Sequence, residues 1–392
     1  MIRDILVVSA GPVPAPFGSP VYVGGMAEAL ADAGYSVRLV GPRRAVGGPL
    51  RGVDRPHPVR AVGVDEVQPG PSWRRVGEDV RLVFDLAGAL RARRPDLVLG
   101  HHGEGWWASK LACWWTGTRV PVVYVLHTSF EEELPTWLPP WAVRHGRWIG
   151  RLGGWIDRRI ARRAEACLAP SPSGCARLEA WGASWAGLAL PDVDVSGWPR
   201  PSASEARVAL GLPASTPVAL YAGNVDAYQD LPRWVDALER LPEVHALFAL
   251  AAAPPGWLRD AVARVGAAHR VTFTLANDAD ALGWVHAAAD VAVVPRAVCA
   301  GVPVKALNSL AYGVPTVGLA SALPDLPGLI RVDGDGADAL AAAVRDALVG
   351  GTSAVRGAAA LAGARNGPSW VDALARAVVG PQPGDAGSRD TR

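Results

Sequence analysis

The sequence is short of lysine, of paired cysteines and of long apolar runs, and each shortage excludes something. Of 39 basic residues only Lys110 and Lys305 are lysines; the others are arginine. With 37 acids the formal net charge is +2, so the balance does not point to nucleic acid as a partner. Cys113, Cys167, Cys175 and Cys299 form no CxxC pair and have no histidine at metal-ligand spacing. That argues against a zinc site and for reduced thiols. No uninterrupted apolar stretch approaches the roughly 18 residues that suggest a bilayer span. Met1–Asp4 leads into an apolar strand without the pattern of a secretory leader, so a cytoplasmic protein is the expectation.

What is present is a globular composition, half hydrophobic and 19% charged, on 392 residues, more than one core usually holds. Short Val- and Leu-rich runs, each followed by a helix-like stretch, recur in both halves. They are Ile5–Ala10, Val37–Val40, Leu97–Leu99, Val122–Leu126 and Ala166–Pro170, then Val218–Tyr221, Ala246–Leu250, Val271–Phe273, Val291–Pro295 and Thr316–Gly318. Buried parallel strands with crossover helices read this way. The fold class that follows is α/β, with two Rossmann-like doubly wound domains facing across a cleft. The first domain is placed at 1–190, a Pro-, Ser- and Gly-rich hinge at 191–207 and the second domain at 208–366. A C-terminal helix at 367–380 and a disordered tail at 381–392 complete the expected layout.

Open α/β sheets bind ligands beyond the carboxyl ends of their strands, so the loops there hold the candidates. The first loop, Gly11–Pro20, contains Gly18, a residue that lets backbone approach a phosphate or sugar. His101, His102 and Glu104 follow the third strand run, and His127 with Glu131 and Glu132 follows the fourth. Imidazoles and carboxylates there can bond sugar hydroxyls. A helix cap by Thr128 or Ser129 with first-turn acids accounts for the glutamates equally well. In the second half, Gly223, Asn224 and Gln229 lie in a strand-turn-helix stretch suited to phosphate. Arg296, Gly301, Lys305 and Asn308 lie in a long stretch between two strand runs.

These segments together, in this order and spacing, resemble the retaining glycosyltransferases of family 4, which have the GT-B fold. The resemblance covers nearly the whole chain and rests on the Gly18 loop, His101–Gly105, His127 with its glutamates, Tyr221–Gln229 and Pro303–Pro315. It implies a nucleotide-sugar donor bound by the second half and an acceptor bound by the first. Gly18 would lie against the donor phosphates, His127 would contact the transferring sugar, and Gly223, Asn224 and Gln229 would line the donor site. Lys305 would meet the diphosphate, with Arg296, Gly301 and Asn308 beside it. His101, His102, Glu104, Glu131 and Glu132 would lie on the acceptor side. No metal and no cofactor are implied, the nucleotide-sugar being a co-substrate. Many members carry two glutamates eight residues apart where this chain has Ala300 and Asn308, which points to a subfamily variant. Two other readings of the same residues are a nucleotide-sugar epimerase of this fold and a non-catalytic sugar-nucleotide-binding protein.

Asp192–Asp194, Asp278–Asp280 and Asp333–Asp335 have the form of metal-binding DxD pairs but lie in expected hinge, cap and turn positions. From Trp141 to Arg163 there are seven arginines and one acid, Asp157, with Trp141, Trp148 and Trp155 at sevenfold spacing. This is a candidate interfacial helix, which would hold the protein at the inner face of a membrane; packing on its own sheet is the alternative. Trp106, Trp107, Trp114 and Trp115 read as a packed stripe. The acceptor, whether glycan, lipid-linked or small, is not legible.

Overall fold

The computed structural model describes residues 2–15, 18–63, 66, 73–136, 146–189, 193, 195–226, 229–296, 302–323, 328–334, 336–350, 371, 374, 377 and 378. The chain divides into two compact units, Met1–Asp192 with Asn366–Arg392, and Val193–Arg365.

The first unit runs β1 (Asp4–Ser9), α1 (Gly18–Asp32), β2 (Ser36–Val40), β3 (Arg44–Ala45), β4 (Val53–Asp54) and β5 (Arg60–Ala61). It continues through α2 (Trp73–Ala92), β6 (Leu97–His101), α3 (His102–Thr116), β7 (Val122–Val125), α4 (Phe130–Thr136) and α5 (Gly146–Ala161). β8 (Cys167–Ala169), α6 (Pro172–Ala180) and β9 (Ala186–Leu188) close it. Seven strands form one parallel sheet in the order β4-β2-β1-β6-β7-β8-β9. Side chains alternate across a strand, so both faces are core. Leu6 and Val8 enter the layer beneath α2, α3 and α5, while Ile5 and Val7 enter the layer beneath α1. Val371 and Leu374, near the C-terminus, are buried in that second layer.

The second unit runs α7 (Ala203–Ala209), β10 (Val218–Gly223), α8 (Leu231–Leu238), β11 (His245–Leu250), α9 (Gly256–Arg264) and β12 (Val271–Leu275). α10 (Ala279–Ala288), β13 (Val291–Val294), α11 (Val304–Tyr312), β14 (Thr316–Leu319), β15 (Leu329–Val332) and α12 (Ala337–Gly350) follow. Its six strands are parallel, in the order β12-β11-β10-β13-β14-β15. Ala219 and Tyr221 pack toward α8 and α12, and Val218 and Leu220 toward α7 and α10.

All ten expected strand runs are strands. β4, β9 and β15, of two, three and four residues, are too short for periodicity to reveal. α7 begins inside the stretch read as a hinge, because Ser202 and Glu205 form a capping box: the Ser202 Oγ accepts from Glu205 N at 3.2 Å and Ser202 N donates to the Glu205 carboxylate at 2.8 Å. Asp278 caps α10 as expected, accepting from Ala281 N at 2.8 Å. Asp192, Asp194 and Asp335 of the other two pairs, and the expected tail, lie outside the described residues.

The cap of α4 comes from farther away than the sequence suggests. Ser129 Oγ accepts from Glu132 N at 3.3 Å, but the fully buried carboxylate of Asp157 on α5 accepts from Phe130 N at 3.2 Å and Glu131 N at 3.0 Å. Gly153 lets α5 come this close, since a Cβ there would overlap the Phe130 backbone. Burial, partly offset by those two bonds, raises the Asp157 pKa from 3.8 to about 6. A carboxyl raised on folding keeps a proton that the unfolded chain has released, so its contribution falls as pH rises. We therefore expect wild type to lose stability relative to Asp157→Asn between about pH 4 and pH 6, with the difference flat above, in denaturant titrations at stepped pH.

Candidate functional site

Each sheet has one place where the chain reverses its direction of travel across the strands. In the first unit it lies between β1 and β6, in the second between β10 and β13. Adjacent crossovers leave opposite faces there, which opens a crevice at the carboxyl ends.

At the first of these, Ser9 of β1 is in register with His101, the last residue of β6, and His127 follows β7. His101 Nδ1 lies 2.8 Å from His127 Nε2. The His102 ring stacks on His127 with centroids 4.1 Å apart and planes 15° from parallel. Tyr22 of α1, absent from the expected set, packs its ring 4.8 Å from His127 and donates its hydroxyl to the Ala189 carbonyl. Its place on the helix after the first loop is the one sequence signal that could have found it.

Burial drives the basicity of these rings down. His101 falls to about 3 and His127 well below the usual histidine range, with the neighbouring imidazoles adding to the effect. Among the described residues the buried His101 Nε2 has no hydrogen-bond partner. A proton there would be an orphaned donor, costlier than an orphaned acceptor, so His101 carries its proton on Nδ1 and donates to His127 Nε2. Neutral His127 then carries its own on Nδ1. His102 has φ of 60°, one of two positive φ values among the described non-glycine residues. Such strain persists where surrounding packing imposes it.

The other first-unit candidates are in different states. His101 was expected to face an acceptor, but it is wholly buried behind His127 and reaches outward only through that ring. Glu104 is part-exposed in the first turn of α3, and Glu131 is exposed at the start of α4. Glu132 is tied to Arg177 at 2.7 Å. Gly18 opens α1, with nothing within 4 Å of where a Cβ would stand. The sequence's other lysine, Lys110, pairs with Glu165 at 2.7 Å.

At the second reversal, Lys305 in the first turn of α11 reaches back to the end of β10. Its Nζ donates to Tyr221 Oη at 2.9 Å and to Gln229 Oε1 at 2.8 Å, and it stands 4.3 Å from the Tyr221 ring centroid. Gln229, 4% exposed, donates to Asn224 Oδ1 at 2.8 Å, and Tyr221 donates to the Asn224 carbonyl. Gly223 is required by its backbone, whose φ is +148°; a Cβ there would stand 2.5 Å from Lys305 Nζ and displace the ammonium. Asp230, the second strained residue, with φ of 53°, is bonded to Arg233 at 2.7 Å. Asn224, Gln229 and Lys305 thus form one network, completed by Tyr221, with Gly223 beside the ammonium. Arg296 follows β13 and is part-exposed; Asn308 is one turn beyond Lys305 on α11 and part-exposed. Gly301 and Ala300 lie outside the described residues.

Comparison with known proteins divides the chain in the same two parts. Residues 17–191 match the glycosyl transferase 4-like domain and residues 216–349 the glycosyl transferases group 1. A D-inositol 3-phosphate glycosyltransferase of Xylanimonas cellulosilytica is 30% identical over 257 residues, 60% of this chain and 58% of that protein, so the match spans little more than half of the relative's length. Among solved structures, sucrose-phosphate synthase from Thermosynechococcus elongatus superposes with a TM-score of 0.75 at 18% identity, over 96% of this chain and 99% of that one. Anabaena HepE, solved with UDP and glucose, gives 0.67 at 16%, over 97% and 100%. The starch synthase IV catalytic domain from Arabidopsis thaliana, bound to ADP and acarbose, gives 0.70 at 12%, over 97% and 100%. The shared architecture is the GT-B fold.

The histidine cluster makes a spectroscopic prediction. In long-range nitrogen–proton spectra, His101 and His127 should remain neutral Nδ1–H tautomers from pH 5.5 to 8, in line with their lowered pKa values. A midpoint near the ordinary 6.5 for either ring would show that burial does not govern them.

Proposed function

From the premise that this chain belongs to the glycosyltransferases of the 4-like and group 1 type, an enzyme of GT-B fold, we propose that it moves a sugar from a nucleotide-sugar donor to an acceptor, with retention and without metal. The second unit binds the donor and the first the acceptor. The observation that carries the reading is Lys305. Its ammonium is held at the sheet's reversal point by two neutral acceptors, Tyr221 Oη and Gln229 Oε1. A diphosphate is a stronger partner than either, because it adds attraction between opposite charges to the hydrogen bond.

In this reading Lys305 offsets charge on the departing nucleoside diphosphate, the work a metal or arginine clamp does elsewhere. Gly223 gives the ligand room beside the ammonium, while Asn224 and Gln229 orient it through their amides. Asn308 and Arg296 flank the same loops, and Gly301 lies in the connection between them. In the first unit neutral His127 meets the transferring sugar through its Nδ1–H, with His101 fixing that tautomer from behind. Gly18 leaves the entry to α1 open toward donor phosphates. His102, Glu104, Glu131 and Glu132 take the acceptor side. HepE and starch synthase IV were solved with UDP and ADP, which supports a nucleoside diphosphate as the ligand to test. The enzyme works in the cytoplasm, peripheral to a membrane's inner face.

A thermal-shift screen with UDP, GDP, ADP and their sugars tests the donor reading. A ligand at a hundredfold its Kd adds about 2.7 kcal/mol of stability, and no shift with any of them would sink the proposal. Lys305→Ala should weaken binding of the stabilising nucleotide by about tenfold or more and slow transfer comparably. Because Nζ also holds Tyr221 and Gln229, the variant should lose roughly 1 kcal/mol of intrinsic stability. Wild-type affinity and turnover would make Lys305 a bystander. Separately, EDTA should leave transfer intact; loss on chelation with rescue by manganese would overturn the metal-free reading.

A further inference from the structure

Two helices of the first unit carry the same outward pattern. On α3, Trp107, Leu111 and Trp114 are 40%, 49% and 79% exposed; on α5, Trp148, Leu152 and Trp155 are 69%, 51% and 55% exposed. In both, tryptophan, leucine and tryptophan recur at i, i+4 and i+7, which puts them in one line along the helix. The two helices contact each other and cover the same face of the sheet. Both stripes thus lie on the outer side of one helical layer, which α2 shares through Phe84, 57% exposed, whose ring meets Trp115 edge-on at 5.1 Å. Large apolar side chains exposed together in this way mark contact surfaces.

This corrects one expectation and shows how α5 is seated. Of the four tryptophans read as a packed stripe, Trp106 is buried, but Trp107, Trp114 and Trp115 face outward. On α5 the apolar residues do not share one face. Gly150, Gly153, Gly154 and Ile160 turn inward to the protein, and Trp148, Leu152 and Trp155 turn away from it. The glycines that would weaken an isolated helix are what seat this one on α4. Trp141 and Arg144 lie outside the described residues.

The charge beside the stripe identifies what covers it. The guanidinium of Arg151 lies over Trp148 at 5.2 Å and that of Arg159 over Trp155 at 5.4 Å. Arg147, Arg162 and Arg163 are exposed nearby, whereas Asp157, the one acid of α5, is fully buried under α4. Tryptophan beside arginine, on a helix whose one acid is buried, matches the boundary of an anionic bilayer, where indole lies among headgroups and guanidinium pairs with lipid phosphate. Among the described residues no helix is long and apolar enough to cross a membrane. We propose that α3 and α5 form one membrane-binding face that lies on anionic lipid, with their tryptophans and leucines in the interface and their arginines on the phosphates. This deepens the peripheral placement given above but does not depend on the donor site, which belongs to the other unit.

The test uses the full chain, co-sedimented with phosphatidylcholine vesicles with and without phosphatidylglycerol. Wild type should bind the anionic vesicles and release with added salt. Trp114→Glu with Trp148→Glu should lower that binding by at least about tenfold at unchanged melting temperature and unchanged nucleotide affinity. Arg151→Glu with Arg159→Glu should remove the preference for anionic over neutral vesicles. Vesicle binding that survives the tryptophan changes would overturn the proposal. So would a wild type that ignores vesicles and self-associates in a manner the tryptophan changes abolish, which would assign the face to a second copy of the chain.

Discussion

A parallel sheet buried on both faces has one place left for chemistry, and that constraint organises both units. β1 is buried along its whole length and β10 until its last two residues, so the site groups gather at and beyond the carboxyl ends. Where neighbouring crossovers part to opposite faces, the two ends are uncovered together. His101 with His127 occupies one such point and Lys305 with Tyr221 the other.

The two points answer the cost of polar burial differently. The first keeps its groups neutral: a His–His bond shares one proton between Nδ1 and Nε2, and burial holds both rings far from charging. The second keeps a cation and surrounds it with oriented neutral dipoles and a ring face. Positive charge at one point and a neutral hydrogen-bonding cluster at the other suit the division of labour proposed for the units. Both points also hold backbone that few residues adopt, at His102 and Asp230. The packing of loops on strand ends imposes it.

The same layer that supports the histidines supplies the outward face. α3 begins at His102 and shows its tryptophans one turn later, and α5 caps α4, the helix that follows His127, through Asp157. A surface lying on lipid would thus share helices with the histidine cluster, within a single unit.

Much of this was determined by sequence alone. Strand positions were legible because parallel strands buried on both faces are continuous apolar runs, and Asp278 read as a cap because its bond is to a residue three positions on. The candidates Gly223, Asn224, Gln229 and Lys305 were legible too, as members of ordered segments. What only the tertiary structure decided rests on long-range distance. Asp157 caps a helix 26 and 27 residues away, Tyr22 reaches a histidine and a carbonyl far along the chain, and Lys305 finds Tyr221 at a separation of 84 residues. The direction of Trp107, Trp114 and Trp148 belongs to the same class. A helical period gives the residues that share a face, but the sheet beneath decides which face is spent on the core, and here glycine took that side of α5 and left tryptophan to the outside.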